Sequence, residues 1–429
     1  MLRVRFTQAL ILMFVVARPL AAQSGAAPPA TSITVAQAID EAIQHNLSLL
    51  AERSSLSVAD AAVITAKLRP NPVVSASADH LDLLGTGFDE TNNGGPTELA
   101  WRVDVPIERG GKREARIAVA SAARSLVEAE FADAVRTLRQ DVVSSCIDVL
   151  AAQANRTLVA DNLRAFEDLA RVNQARAVAG SIAPFEATRS QVAMLQFRAT
   201  VVRAELDLFT ATARLRTLLG RSPADPLTLV GALQVETATT SPDITRLEQL
   251  ALATRPDLQA LQLSQSRSVA DLRLQEALGK IDYTVGAEYR RQQGISGRSN
   301  SLGFFFSAPL PILNRNQGEI ARAGAERQQF ERQAAARQAE ILADVHSAFQ
   351  EYVTMRDLVA AIERELLTPA TNARDVSTYT YKAGGSTLLE LLDAQRAFND
   401  TMQSYVDAQA GLRRAISKLN TAVGMEVLQ

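Results

Sequence analysis

The chain states nearly the same pattern twice. Ser57-Val58-Ala59-Asp60 returns as Ser268-Val269-Ala270-Asp271, Val105-Pro106-Ile107 as Leu310-Pro311-Ile312, and Ala179-Gly180-Ser181 as Ala383-Gly384-Gly385. The offsets fall from 211 (57 to 268) through 205 (105 to 310) to 204 (179 to 383), so the copies keep register with small deletions. A repeat this long means two equivalent units in one pseudo-symmetric object. It predicts a first repeat over 23–220, a linker over 221–243 and a second repeat over 244–429, behind a leader at 1–22.

The leader follows from its order of residues. Arg3 and Arg5 precede an apolar run from Ala9 to Val16, and small residues surround Ala21-Ala22. That is the layout of a secretory signal peptide. Arg18 and Pro19 cut the run well short of the roughly 20 apolar residues of a spanning helix. With no other apolar run of that length, membrane insertion of the mature chain has to use strands. A formal net charge of -2 gives no basic stripe and argues against nucleic-acid binding. The single Cys146 falls on a helical apolar stripe and reads as core filler.

Each repeat opens with a helical segment, Val35 to Leu68 and Ile244 to Leu278, and continues into paired strands. Leu99, Trp101, Val103 and Val105 alternate with Ala100, Arg102 and Asp104. The second copy alternates Tyr283, Val285, Ala287 and Tyr289 against Thr284, Gly286, Glu288 and Arg290, then shows Leu302, Phe304, Phe306 and Ala308. A fainter strand lies around Val74 to His80. Ten-residue alternation fits strands with lipid on one face and water on the other, although it also fits a soluble sandwich. Gly85 to Pro96 and Gln293 to Asn300 read as the hairpin loops. Two very long helices follow, Lys112 to Ala179 and Gly318 to Ala383. In the first, Phe131, Val135, Leu138, Val142, Cys146 and Val149 step by three and four, a coiled-coil seam. Each long helix ends at a glycine turn, Gly180-Ser181 or Gly384-Gly385, and a second helix returns over Phe185 to Leu219 or Leu388 to Val423. The glycines serve the turns by accepting a positive φ.

Four strands cannot close a barrel, and open edges are forbidden in lipid. Three copies supply twelve. If the strands are membrane strands, the chain has to oligomerise. The predicted class is then mainly α with a small membrane β-barrel: duplicated coiled-coil hairpins plus four strands per chain, with three copies supplying a trimeric 12-stranded barrel and a ring of helices, an α-helical barrel. Enzyme signals are poor. Gly110-Gly111-Lys112 lacks the spacing and the hydroxyl of a phosphate loop, and Gly85-Thr86-Gly87 is half a dinucleotide motif. His45, His80 and His346 are far apart with no paired cysteines, so no metal site, cofactor or catalytic residue is predicted.

With Pro106 and Pro311 leading from strands into long helices, the duplicated pattern resembles the TolC-like outer membrane efflux proteins over nearly the whole mature chain. Two stretches carry most of the likeness: Glu108-Arg109-Gly110-Gly111-Lys112-Arg113, which resembles the CzcC-like heavy-metal branch, and the run from Tyr381 through Gly384-Gly385-Ser386-Thr387 to Glu390, Asp393 and Gln395. The resemblance implies a homotrimer in the outer membrane with its helical barrel in the periplasm. It also implies a periplasmic adaptor (membrane fusion protein) and an inner-membrane RND pump as partners, and outer membrane lipid around the barrel. The function implied is a passive, gated exit duct for divalent heavy-metal cations, with Tyr381, Glu390 and Asp393 at the pore constriction. Gly180, Ser181, Pro184, Gly384, Gly385 and Ser386 would be the adaptor-contacting tips, and Pro106 and Pro311 the barrel-to-helix transitions. Ser386 stands where well-known members carry a gate arginine. Multidrug efflux, type I protein secretion and a non-pore periplasmic coiled-coil protein are the competing readings.

Overall fold

A computed structural model describes residues 32–81, 83, 85, 97–235, 242–294 and 297–428. The leader at 1–22 and most of the Gly85 to Pro96 loop lie outside the described residues. In chain order the elements are β1 (Ser32–Ile33), α1 (Val35–His45), α2 (Leu47–Lys67), β2 (Val73–Asp79), β3 (Glu98–Ile107), α3 (Lys112–Val178), α4 (Pro184–Leu218) and β4 (Thr228–Leu229). The second half supplies α5 (Ile244–Thr254), α6 (Pro256–Leu278), β5 (Tyr283–Gly294), β6 (Gly297–Ser307), α7 (Gln317–Ala361), a π-helical turn (Ile362–Leu366), α8 (Leu367–Lys382) and α9 (Leu388–Val423).

The two opening segments, expected to be continuous, are each two helices. Asn46 is extended at φ -63°, ψ 120° and caps α2 by accepting from the Leu49 N–H at 3.0 Å. At the matching place Arg255 is extended because Pro256 follows, and a residue before proline avoids the helical region. Arg255 is nearly fully buried and wires this break into its surroundings. It donates to Asp257 at 2.6 Å, to Asp344 at 3.1 Å and to the Ala422 carbonyl at 3.3 Å. Arg337 of α7 adds a bond to Asp257 at 2.7 Å. Burial alone would raise the Asp257 pKa, but the two guanidinium groups outweigh it and hold it at about 2, against 3.8 normally. A depressed carboxyl stabilises the fold above its unfolded pKa and loses that contribution as pH falls through the folded one. Asp257 should therefore contribute about 2 kcal/mol near neutrality, lost between about pH 4 and 2. Denaturant titrations of wild type and Asp257→Asn should differ by at least that much at about pH 7 and converge toward about pH 2; a difference independent of pH would contradict the assignment.

The first long helix, α3, spans 67 residues, about 100 Å at 1.5 Å per residue. Its predicted seam is the core: Leu138, Val142, Cys146 and Val149 are buried, with Phe131 and Val135 packed against them. Burial pushes the Cys146 thiol up to about 12, which leaves it an inert packing group. A matching core joins α5, α7 and α9 through Leu247, Ile341, Val345, Tyr352, Leu412 and Leu419. The second long helix, expected to run as one α-helix, is instead interrupted by a π-helical turn. Pro369 has no N–H to bond the Glu365 carbonyl one turn back, and the π-helical turn Ile362–Leu366 lies directly before it. The stretch expected to be a plain linker also has structure. Thr228–Leu229 pairs in parallel with β1, and Leu229 and Leu233 are buried in the first core.

The four longer strands form one antiparallel sheet in the order β2-β3-β5-β6. Gly294 pairs with Gly297, so the expected loop from Gln293 to Asn300 is ladder up to the two residues between them. Its orientation is the reverse of a water-soluble sheet. On β3 the apolar Trp101, Val103, Val105 and Ile107 are exposed, whereas Ala100, Arg102 and Asp104 are covered or half-covered. Phe304 and Phe306 of β6 are 80% and 66% exposed on that same apolar side. A soluble sandwich buries this face, and a membrane strand offers it to lipid. The opposite face is polar and paired. Arg102 bonds Asp104 at 2.9 Å and lies 4.1 Å over the Phe305 ring, while Arg290 bonds Glu98 at 2.6 Å and Glu288 at 2.9 Å. Asp79 completes this row, giving four carboxylates against two arginines on the described strands.

Candidate functional site: hairpin turns and barrel junction

Both hairpin turns use the same hydrogen bonds. Gly180 N–H donates to Ala177 O at 3.1 Å and Ser181 N–H to Arg176 O at 2.8 Å. Gly384 N–H donates to Tyr381 O at 3.1 Å and Gly385 N–H to Thr380 O at 2.8 Å. This is a Schellman closure, whose pivot residue needs the left-handed region. Gly180 and Gly384 supply it with φ 74° and 79°. Gly385 does not have a positive φ, contrary to the expectation for all three glycines, because only one residue per closure turns left-handed. Pro184 sits at the first position of α4, where its missing N–H costs nothing. Ser386 accepts from the Thr380 hydroxyl at 3.1 Å, and Arg176 donates across to the Lys382 carbonyl at 3.0 Å, tying the two turns together.

The three expected constriction residues are not gathered at one point. Tyr381 is buried between the hairpins in a cluster with Phe166, Leu388, Leu391 and Leu392. Its hydroxyl donates to Asn173 Oδ1 at 2.8 Å, and burial pushes its phenol above the ordinary range, so it remains a neutral donor. Glu390 and Asp393 lie on the exposed face of α9, pointing away from that cluster. Asp393 is 3.9 Å from Arg396, with both side chains mostly in solvent, a pair of little energetic weight. Glu390 has a second task. Its carboxylate accepts the Thr387 N–H at 3.0 Å while the Thr387 hydroxyl accepts the Glu390 N–H at 3.3 Å, a capping box at the start of α9. At the equivalent position of the first turn Ala183 lacks a hydroxyl, and Glu186 makes no such box.

Asn173 and Thr387 were not among the expected site residues, though both leave a trace. The buried stripe of α3 continues as Val159, Asn162, Phe166, Ala170 and Asn173, steps of three and four in which two seam places hold amides. A seam that turns polar toward its end marks the place where two helices are held by specific bonds rather than by bulk packing. The amide of Gln395 on α9 donates to Asn162 at 3.3 Å. Thr387 with Glu390 is a Thr-x-x-Glu capping signature directly before an apolar run.

At the other end of the helices, the Glu108 to Arg113 stretch locks the first repeat to the second. Lys112 is 6% exposed and donates to Asp282 at 2.7 Å and to the Lys280 carbonyl at 2.8 Å. The Arg109 N–H donates to Asp282 at 2.9 Å, its guanidinium lies 4.7 Å over the Tyr283 ring, and Arg116 pairs with Glu108. Pro106 is inside β3, paired with Thr284, and lies beyond the last β2 pair at Val73 and Asp104. Pro311 sits in the link between β6 and α7, where its carbonyl accepts from Arg315 at 3.0 Å. Both helices then start after a left-handed residue, Gly111 or Asn316. The described residues contain no group of three or more metal-ligating side chains and no helix long and apolar enough to span a membrane.

Comparisons agree with this arrangement. The family model described as "Outer membrane efflux protein" matches residues 38–221 and 247–425, one match per repeat. The cobalt-zinc-cadmium resistance protein CzcC of Cupriavidus metallidurans is 24% identical over 91% of this chain and 90% of its own. The pyoverdine export outer membrane protein OpmQ of Pseudomonas aeruginosa is 26% identical over 89% of this chain and 81% of its own. Among solved structures, the outer-membrane channel OprN aligns at TM-score 0.72 with 19% identity, covering 91% of this chain and 89% of that one. CusC aligns at TM-score 0.73 with 18% identity, covering 91% and 92%.

Proposed function

Because the chain belongs to the outer membrane efflux protein family, we propose that it works as a homotrimeric exit duct, receiving divalent cations from an inner-membrane RND pump through a periplasmic adaptor and passing them outward without energy input. The chain lies in the outer membrane, its sheet forming part of a barrel and its hairpins reaching into the periplasm. One observation carries the trimer: every layer of the protomer is open at the same two flanks. The sheet ends in β2 on one side and β6 on the other. Near the sheet the helices run α2, α3, α6, α7, and near the turns α4, α3, α9, α8. The first-repeat flank leaves Val58 and Ile64 of α2 and Val202, Leu206 and Phe209 of α4 exposed, and the second leaves Val376 and Tyr379 of α8 exposed. Head-to-tail copies that match one flank to the other close a ring, and three copies bring twelve strands.

The lumen-side excess of carboxylates favours cations over anions. It supports the metal reading together with the Glu108 to Arg113 stretch and the CzcC relative; the OpmQ relative is named for a different cargo. At the turns, Tyr381 and Asn173 form the latch that holds the second hairpin against the first, and opening requires that bond to break. Glu390 and Asp393 would each repeat three times around the constriction, and the turns at Gly180-Ser181-Pro184 and Gly384-Gly385-Ser386 would meet the adaptor. Purified protein should run at a trimer mass and give cation-favouring conductance steps in planar bilayers. A monomer without conductance would overturn the duct. A deletion strain should lose resistance to cobalt, zinc or cadmium ahead of hydrophobic drugs; the opposite order would remove the metal reading alone.

A further inference from the structure

We propose that the outer rim of the sheet, at Arg291 and Arg298, docks the phosphate groups of the outer-leaflet glycolipid. Strand alternation carries the lipid-side face of β5 from Tyr289 to Arg291, and the register places Tyr289 beside Leu302, then Arg291 beside Asn300, then Gln293 beside Arg298. Both arginines therefore stand on the apolar side of the sheet, at the end away from the helices. Both are exposed, and among the described residues neither has an ion pair or hydrogen bond. The contrast with the other face is complete, since Arg102 and Arg290 are each bonded to carboxylates there.

Height on the barrel identifies the partner. Trp101 stacks on Tyr289 at 6.1 Å, and the Tyr289 hydroxyl donates to Asn300 at 2.9 Å. Such an aromatic row with a polar tip marks the edge of the hydrocarbon layer. Arg291 begins the next row outward, where lipid headgroups lie. An uncompensated guanidinium at that depth is costly, and its planar donors match phosphate oxygens two at a time. In the outer leaflet the phosphate belongs to a glycolipid. The inference rests on the outer-membrane placement of the barrel.

Delipidated full-length trimers, wild type and Arg291→Ser/Arg298→Ser, should be titrated with bis-phosphorylated lipid A, its dephosphorylated form and phosphatidylglycerol, with binding read by native mass spectrometry. Wild type should bind bis-phosphorylated lipid A about tenfold or more tightly than the double variant, and Arg291→Lys/Arg298→Lys should recover part of the loss. Equal affinity of wild type and the serine variant would overturn the proposal. So would phosphatidylglycerol binding wild type as tightly as lipid A, since that means a general anion surface. Conductance of the same trimers is recorded in parallel: trimers that conduct but ignore lipid A sink this inference alone, whereas loss of conductance in wild type sinks the duct.

Discussion

Gly220→Ala should cost at least about 3 kcal/mol of stability, whereas Gly180→Ala should cost only about 1, although the two backbones are nearly alike. Their φ angles are 71° and 74°, so the left-handed strain of adding a Cβ is common to both. Their surroundings differ. At Gly180 an added Cβ meets nothing within 4 Å, while at Gly220 it overlaps the backbone carbonyl of His45. A carbonyl at a helix end cannot swing aside as a side chain can, because Asn46, the next residue, caps α2 and also donates to the Leu218 carbonyl at 2.9 Å. Arg221, one residue beyond Gly220, bonds Glu41 of α1 at 2.5 Å and 2.7 Å. The end of α4 and the α1–α2 break are therefore clamped on both sides of the close approach. Chemical denaturation followed by helical circular dichroism gives both values in detergent, and equal losses would show that strain alone governs both sites.

Much of this architecture could be read from punctuation. Gly111, Gly180 and Pro184 bound α3 and the start of α4 to within a residue or two, because a left-handed glycine and an N-terminal proline mark helix ends whatever packs around them. Lipid-side alternation on β3 and β5 was visible for the same local reason. Part of what escaped reading depends on partners far away in sequence, although the break before Pro256 and the π-helical turn before Pro369 have local causes. The split at Asn46 is a capping event beside Leu218, 172 residues on. The Lys112 lock needs Asp282, 170 residues away, so its stretch reads as a family signature rather than as a buried ion pair. Tyr381 could be singled out, but its bond to Asn173 spans 208 residues, so its burial in the seam between the hairpins could not be read from its own stretch. Glu390 was legible as charge and overlooked as structure. Thr387, three residues before it, carries the information that its carboxylate also closes a helix.

That double duty decides how the proposed carboxylate ring is tested. Glu390→Ala removes a charge and opens the capping box together, at about 1 kcal/mol for the cap, so altered conductance in it has two explanations. Glu390→Gln separates them, since glutamine at the third helical position still accepts the Thr387 N–H. Asp393→Asn has no such complication, as its carboxylate touches nothing but an exposed Arg396 at 3.9 Å. In the trimer the double variant Glu390→Gln/Asp393→Asn removes six negative charges while leaving α9 capped and the Tyr381–Asn173 hydrogen bond in place. Cation-over-anion permeability measured from reversal potentials in a salt gradient should fall at least about threefold, and more at low ionic strength, where the ring is less screened. Thermal stability should stay near wild type. If selectivity is unchanged while the barrel-lumen variant Asp104→Asn/Glu288→Gln alters it, the constriction lies in the barrel, and Glu390 has the cap as its whole role.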